Sequence, residues 1–201
     1  MKFINQLDYP HWSYITKTDL DEEQQAQGRV TTVATSACGL CSAVMVADRL
    51  LPGCAFDLSA AIELSYEVKA NHKSGTDYRR FAPAFAQKLG LRLQTSADLE
   101  DLRQCLRTGG AAVVLARGDR NGQVGLFTHE GHYIVAINEE PDGRFALLDP
   151  YLYDGKFEEE GCAGKVEMKN GVIALCSAEI LAEEAEEAHK TSGPYYLFWR
   201  G

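Results

Sequence analysis

Residues 133–148 read YIVAINEEPDGRFALL, and this stretch decides the fold class. Its two apolar runs, residues 133–138 and 144–148, have the length and composition of buried β-strands. The polar residues between them include Pro141, Asp142 and Gly143, which are typical of a tight turn. The stretch therefore predicts an antiparallel β-hairpin.

A turn centred between residues 140 and 141 fixes which residues face each other across this hairpin. The expected pairs are His132 with Asp149, Ile134 with Leu147, and Ala136 with Phe145. Directly opposed side chains on one face of a sheet have Cβ atoms ~5 Å apart, so a carboxylate can hold an imidazole N–H there. The register therefore predicts a His132–Asp149 pair.

Segments before the hairpin have mainly the apolar period of helices, and segments after it mainly that of strands. The predicted helices span residues 39–51, 57–71 capped by Asp57, 77–90 capped by Asp77 and bent or interrupted at Pro83, and a fourth opened by Ser96. The later predicted elements are a strand at 111–116, a hairpin turning at Asn170-Gly171, a helix capped by Ser177 and running to Lys190, and a strand at 195–199. This order predicts an α+β fold.

The chain of 201 residues fits one domain, with an arm at 1–36, a helical half at 37–110 and a sheet half at 111–201. A net charge of −9 disfavours nucleic acid as a partner. The first residues lack the apolar core of a signal peptide, and we find no membrane span. Six cysteines are too few for a disulfide scaffold at this length. We therefore expect a cytoplasmic protein with free thiols.

Cys38 is the candidate nucleophile because it stands at the N-terminal end of the predicted helix 39–51. Unpaired N–H groups and the positive end of the helix dipole favour a thiolate there, and an imidazolium lowers the thiol pKa further. The same N–H groups can stabilise an oxyanion. Cys38, His132 and Asp149 thus supply a nucleophile, a base and an orienting acid.

Other interpretations of the same residues stay open. Cys38 taken alone is compatible with a buried core thiol. Cys38 and Cys41 form a C-x-x-C at a helix start, as in thiol-disulfide oxidoreductases, although no hydrophobic strand leads into it. A non-catalytic peptide-binding module is a third interpretation. Zinc is disfavoured, because His129 and His132 lack the spacing of a helical zinc site and there is no second C-x-x-C.

Four segments resemble bacteriocin-processing, double-glycine leader peptidases of the papain-like class, and in particular their stand-alone relatives that lack a transporter. They are residues 36–46 (SACGLCSAVMV), 131–135 (GHYIV), 147–151 (LLDPY) and 5–12 (NQLDYPHW). They cover the nucleophile, His, Asp and oxyanion-glutamine segments, and Cys, His and Asp follow in the family's order.

The resemblance implies a papain-like cysteine peptidase fold and a thiol hydrolase acting on peptide or other amide bonds. It makes Cys38 the nucleophile, His132 the base, Asp149 the orienting acid and Gln6 the oxyanion donor, with no cofactor. Thr32 stands where papain keeps its own glutamine, so the oxyanion role depends on Gln6. Transfer of the acyl group to an amine is a related outcome.

Overall fold

The computed structural model describes residues 1–14, 31–72, 75–120, 122–185 and 193–201. Its helices are α1 (Val33–Ser36), α2 (Cys38–Leu50), α3 (Leu58–Glu67), α4 (Tyr78–Leu89), α5 (Leu99–Arg107) and α6 (Ala178–Ala185). Its strands are β1 (Asn71–His72), β2 (Gly75–Thr76), β3 (Leu91–Ser96), β4 (Ala111–Ala116), β5 (His132–Glu139), β6 (Phe145–Leu148), β7 (Val166–Lys169), β8 (Ile173–Cys176) and β9 (Tyr195–Arg200). Short 3-10 helices lie at Gln6–Asp8 and Lys156–Glu158. The α+β class is confirmed.

The main sheet has seven antiparallel strands in the order β3-β9-β4-β5-β6-β8-β7, and β1 pairs separately with β2. Apolar side chains of β4 alternate between two cores, with Val113 facing the core that includes α2, α3 and α4, and Val114 facing the core that includes α5 and α6. Both faces of the sheet are therefore covered, which explains the unbroken apolar run of β4. The N-terminal helices α2 to α5 pack on the two faces of this sheet, and the later α6 joins α5 on one of them.

Three aspartates cap helices as their side chains accept backbone N–H groups at the first turn. Asp57 and Asp77 do so as predicted, whereas Asp98, and not Ser96, caps α5. Ser96 instead ends β3, a strand that the sequence did not predict. This edge strand is largely polar and exposed, and among the described residues it pairs only with β9, at 195–200.

Two further predictions concern helices. α4 runs unbroken through Pro83, because Phe81 and Phe85 bury the opposite face while Pro83 faces solvent. The expected interruption at Pro83 was therefore wrong, and the alternative, a bend, stays a prediction. Ser177 accepts an N–H at the start of α6 as predicted, and the expected extension to Lys190 lies outside the described residues beyond 185. Most of the predicted arm, residues 15–30, lies outside the described residues as well.

The register predicted for the β5–β6 hairpin was wrong by two positions. Val135 pairs with Leu148 and Ala136 with Leu147, and a bulge then shifts the pairing toward the turn. The turn comprises residues 141–143 with Gly143 at φ +84°, so its centre is displaced from the predicted one. His132 is therefore not directly opposite Asp149. A shift of two keeps each side chain on its predicted face.

Candidate active site

Cys38 is the first residue of α2, and α2 passes through the core. The chain breaks helical geometry at Ala37, between α1 and α2, so the first N–H groups of α2 have no acceptor within the helix. Every residue from Gly39 to Ala47 is buried, and the Ser42 hydroxyl donates to the carbonyl of Tyr133 at 3.2 Å. This packing fixes the Cys38 end of α2 against the start of β5, and the Cys38 side chain is half-buried there.

The Cys38 sulfur and the imidazole of His132 lie close enough to interact, and both line the same cavity. His132 is the first residue of β5 and is 4% exposed. Its Nε2 lies 2.7 Å from Oδ1 of Asp149, which leaves Nδ1 as the ring nitrogen able to exchange a proton with the sulfur. The structure thus brings together Cys38, His132 and Asp149, as the sequence predicted.

Asp149 lies directly after β6 and is 1% exposed. Besides His132, its Oδ1 accepts the N–H of Tyr151 at 2.8 Å, and its Oδ2 accepts the ammonium of Lys156 at 2.6 Å. Lys156 is itself buried and was missed by the sequence reasoning. No pattern indicated it, because lysine is almost never fully buried unless it is paired.

The pKa values follow from these contacts. Burial raises the pKa of the Cys38 thiol, but the charge and hydrogen bond of His132, together with N–H groups of Tyr133 and Gly39, outweigh burial and lower it below the ordinary value. Burial lowers the pKa of His132, but the charges and hydrogen bonds of Asp149 and Cys38 raise it to about 9. Both shifts favour a thiolate–imidazolium pair over a neutral thiol beside a neutral imidazole.

Burial raises the pKa of Asp149, but the charges and hydrogen bonds of His132 and Lys156 outweigh it, so the net pKa is lowered. Asp149 is therefore an ionised carboxylate, and the N–H of His132 Nε2 donates to it. This hydrogen bond orients the ring with Nδ1 toward the sulfur.

Gln6 reaches the site from the N-terminal arm. Its backbone N–H donates to the carbonyl of Pro150 at 2.7 Å, and its side-chain Nε2 donates to the carbonyl of Ala34 at 2.6 Å. Gln6 is 3% exposed and lines the same cavity as Cys38. Among the described residues, the second N–H of Nε2 has no hydrogen-bond acceptor, and the carbonyl oxygen Oε1 is buried without a partner.

The cavity has a volume of about 800 Å³ and is open to solvent. Its walls are formed by β2 with Asp77, by residues 124–131, and by the segment that contains Tyr151, Tyr153 and Lys156. Cys38, His132 and Gln6 also line it. A molecule that enters this cavity can therefore reach the sulfur.

Cys41 lies three residues after Cys38 on α2 and differs from it in burial and in pKa. It is fully buried, and burial together with the charge of Cys38 raises its pKa well above the ordinary value. Burial likewise raises the pKa of Cys105 and of Cys176 to about 12. α1, rather than a strand, precedes the C-x-x-C segment. Among the described residues, no cluster of His, Cys, Asp and Glu has the arrangement of a metal site.

Comparison with known proteins gives no family to which this chain can be assigned: no family model and no curated protein matches the sequence. Within the described ranges, no helix has the length and apolar character needed to cross a membrane.

Proposed function

We propose that this protein is a papain-like thiol hydrolase that cleaves peptide or other amide bonds. The observation that carries the proposal is the line of contacts from the Cys38 sulfur to His132 and from His132 to Asp149 at 2.7 Å, at the wall of an open cavity. The helices packed on an antiparallel sheet are compatible with such a fold. The resemblance of the four sequence segments points to the same class.

In the proposed acylation step, the Cys38 thiolate attacks the carbonyl carbon of the scissile amide and a C–S bond forms. The developing oxyanion accepts the Cys38 backbone N–H and a side-chain N–H of Gln6. The His132 imidazolium gives its Nδ1 proton to the amide nitrogen, and the C–N bond breaks. A thioester on Cys38 and a free amine result.

In the deacylation step, neutral His132 removes a proton from water while the water oxygen attacks the thioester carbonyl. The C–S bond breaks, the carboxylic acid leaves, and the thiolate–imidazolium pair is restored. Asp149 stays ionised and holds the ring in one orientation throughout. An amine in place of water would give acyl transfer by the same route.

The surroundings of Cys41 favour hydrolysis over the thiol-disulfide alternative. Exchange needs a second thiol that can attack a mixed disulfide as thiolate. Cys41 is fully buried and its pKa is well above the ordinary value, so it is a poor resolving thiol. The exchange interpretation also gives His132 and Asp149 no role.

Alkylation by iodoacetamide at about pH 6, followed by peptide mapping, tests the proposal because only a low-pKa thiol reacts quickly there. We expect rapid labelling at Cys38 alone, and loss of the rapid phase in His132→Ala. His129→Ala is the matched control, since His129 also lines the cavity but is exposed and pairs with Asp119. The control should label like the parent.

Three results would contradict the proposal. Slow labelling of Cys38 in the parent would show that its thiol is protonated at this pH, so the proposed thiolate nucleophile would be excluded. Reversible crosslinking of Cys38 to Cys41 would assign the protein to thiol-disulfide exchange. A fluorogenic peptide library that is bound equally by the parent and by Cys38→Ala, with cleavage by neither, would assign it to a binding module.

A further inference from the structure

Lys156 is a buried lysine in contact with the carboxylate of the candidate triad. Its side chain is 4% exposed, and its Nζ lies 2.6 Å from Oδ2 of Asp149 and 2.7 Å from the carbonyl of Tyr151. The ring centres of Tyr151 and Phe157 lie 5.1 and 5.8 Å from Nζ, within cation–π range. A buried ammonium is stable only when it is paired in this way.

The chain turns back on itself to make this contact. The N–H of Tyr151 donates to Asp149 Oδ1 at 2.8 Å, and Gly155 adopts φ +79° just before the 3-10 helix that begins with Lys156. That left-handed conformation favours glycine. Residues 149–156 therefore form a loop whose ends are joined by the Asp149–Lys156 ion pair, and this loop is called the clamp loop below.

The clamp loop also holds the arm that carries Gln6. The carbonyl of Pro150 accepts the Gln6 N–H at 2.7 Å, and the carbonyl of Leu152 accepts the Asn5 side-chain amide at 2.7 Å. One loop therefore supports both the residue that orients His132 and the residue proposed to bind the oxyanion.

The geometry points to Lys156 as a positioning residue that keeps the clamp loop closed and partly neutralises the Asp149 carboxylate that His132 contacts. The inference rests on the proposed function, because it gives Lys156 a role in the same site. Charges alternate along the contacts: thiolate at Cys38, imidazolium at His132, carboxylate at Asp149 and ammonium at Lys156. Each of these four groups therefore has a neighbour of opposite sign.

This arrangement has an electrostatic consequence. The ammonium opposes the proton on His132, so removing it strengthens the net effect of Asp149 on the ring. Among the described residues, Asp149 is the only carboxylate within ion-pair distance of Lys156, and the nearby Glu159 instead accepts the hydroxyl of Tyr153 at 2.8 Å. Loss of the Lys156 charge is therefore left uncompensated.

Lys156→Met keeps the length of the side chain but removes its charge, and Lys156→Gln keeps a hydrogen-bond donor as well. We expect NMR titration of the His132 ring to move its pKa upward by roughly one unit in both variants. The pH at which Cys38 becomes reactive toward iodoacetamide should also rise, by less. Lys169→Met, which removes an exposed lysine paired with Glu140, is the control and should change neither quantity.

The outcomes separate this inference from the proposed function. Suppose that Cys38 of the parent is alkylated rapidly, but the His132 pKa of a folded Lys156 variant is unchanged or lowered. This result would overturn only the role of Lys156. Slow alkylation in the parent would overturn the proposed function, while the NMR titration would still test the Lys156–Asp149–His132 coupling. If Lys156→Met does not fold, Lys156→Gln gives the same measurement.

Discussion

The Nε2 atom of His132 lies 2.7 Å from Oδ1 of Asp149, although the two residues are not partners in the sheet. Asp149 lies beyond the end of β6, where the chain leaves the ladder for the clamp loop. Its hydrogen bonds to Tyr151 and Lys156 then set the direction of the carboxylate. The contact thus depends on the loop after the strand as well as on the strands themselves.

Amide hydrolysis is expected to have a bell-shaped dependence on pH. On the acid side, activity falls as the Cys38 thiolate is protonated, and the midpoint of this fall lies below the ordinary thiol pKa. Activity falls on the alkaline side as His132 loses the proton that the leaving amine needs, at about pH 9. Initial rates on a cleaved fluorogenic peptide, measured from about pH 4 to about pH 10, check both limbs.

Alkylation separates the two groups because iodoacetamide needs no proton from His132. Its rate should show the acid limb and no fall near pH 9. An alkaline fall in the hydrolysis rate close to the pKa of free histidine would contradict the Cys38–His132 ion pair.

Asp149→Asn is expected to lower the pKa of His132, because the charge that chiefly raises it is lost. It also leaves the buried Lys156 without its anionic partner, which should lower the free energy of unfolding by about 3–5 kcal/mol. The folded-state pKa of Asp149 is lowered, so its contribution to stability is present above the ordinary aspartate pKa and is lost as pH falls through the lowered value. NMR titration of the His132 ring measures the change in its pKa. Denaturant unfolding at several pH values measures the loss of stability and its dependence on pH.

The matched control is Asp119→Asn, because Asp119 pairs with a histidine at the surface, at 2.9 Å from His129. Solvent screens this pair, so the variant should change stability little. Equal losses in the two variants would argue that burial of the Asp149 pair has no special effect.

Gln6→Ala is expected to slow amide hydrolysis about 10²-fold, the usual loss when one oxyanion donor is removed. The rate of Cys38 alkylation should stay unchanged, because no oxyanion forms in that reaction. Steady-state hydrolysis and alkylation on the same sample provide the comparison. Gln94→Ala, at an exposed residue of β3, is the control. Equal kcat values for Gln6→Ala and the parent would exclude Gln6 from the oxyanion site.

Gly39→Ala is expected to destabilise the fold by about 1–3 kcal/mol through overpacking. An added Cβ would lie 3.1 Å from the buried Tyr78 ring and 3.2 Å from the half-buried Tyr133 ring, and these two rings are already in contact. Displacing Tyr133 also moves the N–H that donates to the Cys38 sulfur, so the thiol pKa should rise. Thermal unfolding and the pH dependence of alkylation measure the two effects.

Gly131→Ala is the control for this variant, because an added Cβ there meets no atom within 4 Å. Its unfolding free energy should stay close to that of the parent. A Gly39→Ala variant as stable as the parent would show that the two tyrosine rings can move apart without cost.

Local sequence patterns determined much of the architecture. Aspartates before apolar runs located the starts of α3 and α4, and the apolar run 111–116 located β4. These features depend on neighbours in the chain, so they can be read directly from its order. β3 depends instead on β9, more than a hundred residues later, and its polar, exposed sequence gave no comparable signal.

The sequence by itself also selected Cys38, His132 and Asp149, because residue type and position relative to a helix start or a strand end limit which side chains can do acid–base and nucleophilic chemistry. Gln6 was selected only through the resemblance to the peptidase family. Only the tertiary structure decided that Cys38, His132 and Gln6 line one cavity, that the hairpin register is displaced by two, and that Lys156 completes the line of charges. The physical reason is that strand register, bulges and the burial of a paired charge are fixed by contacts between segments far apart in the chain.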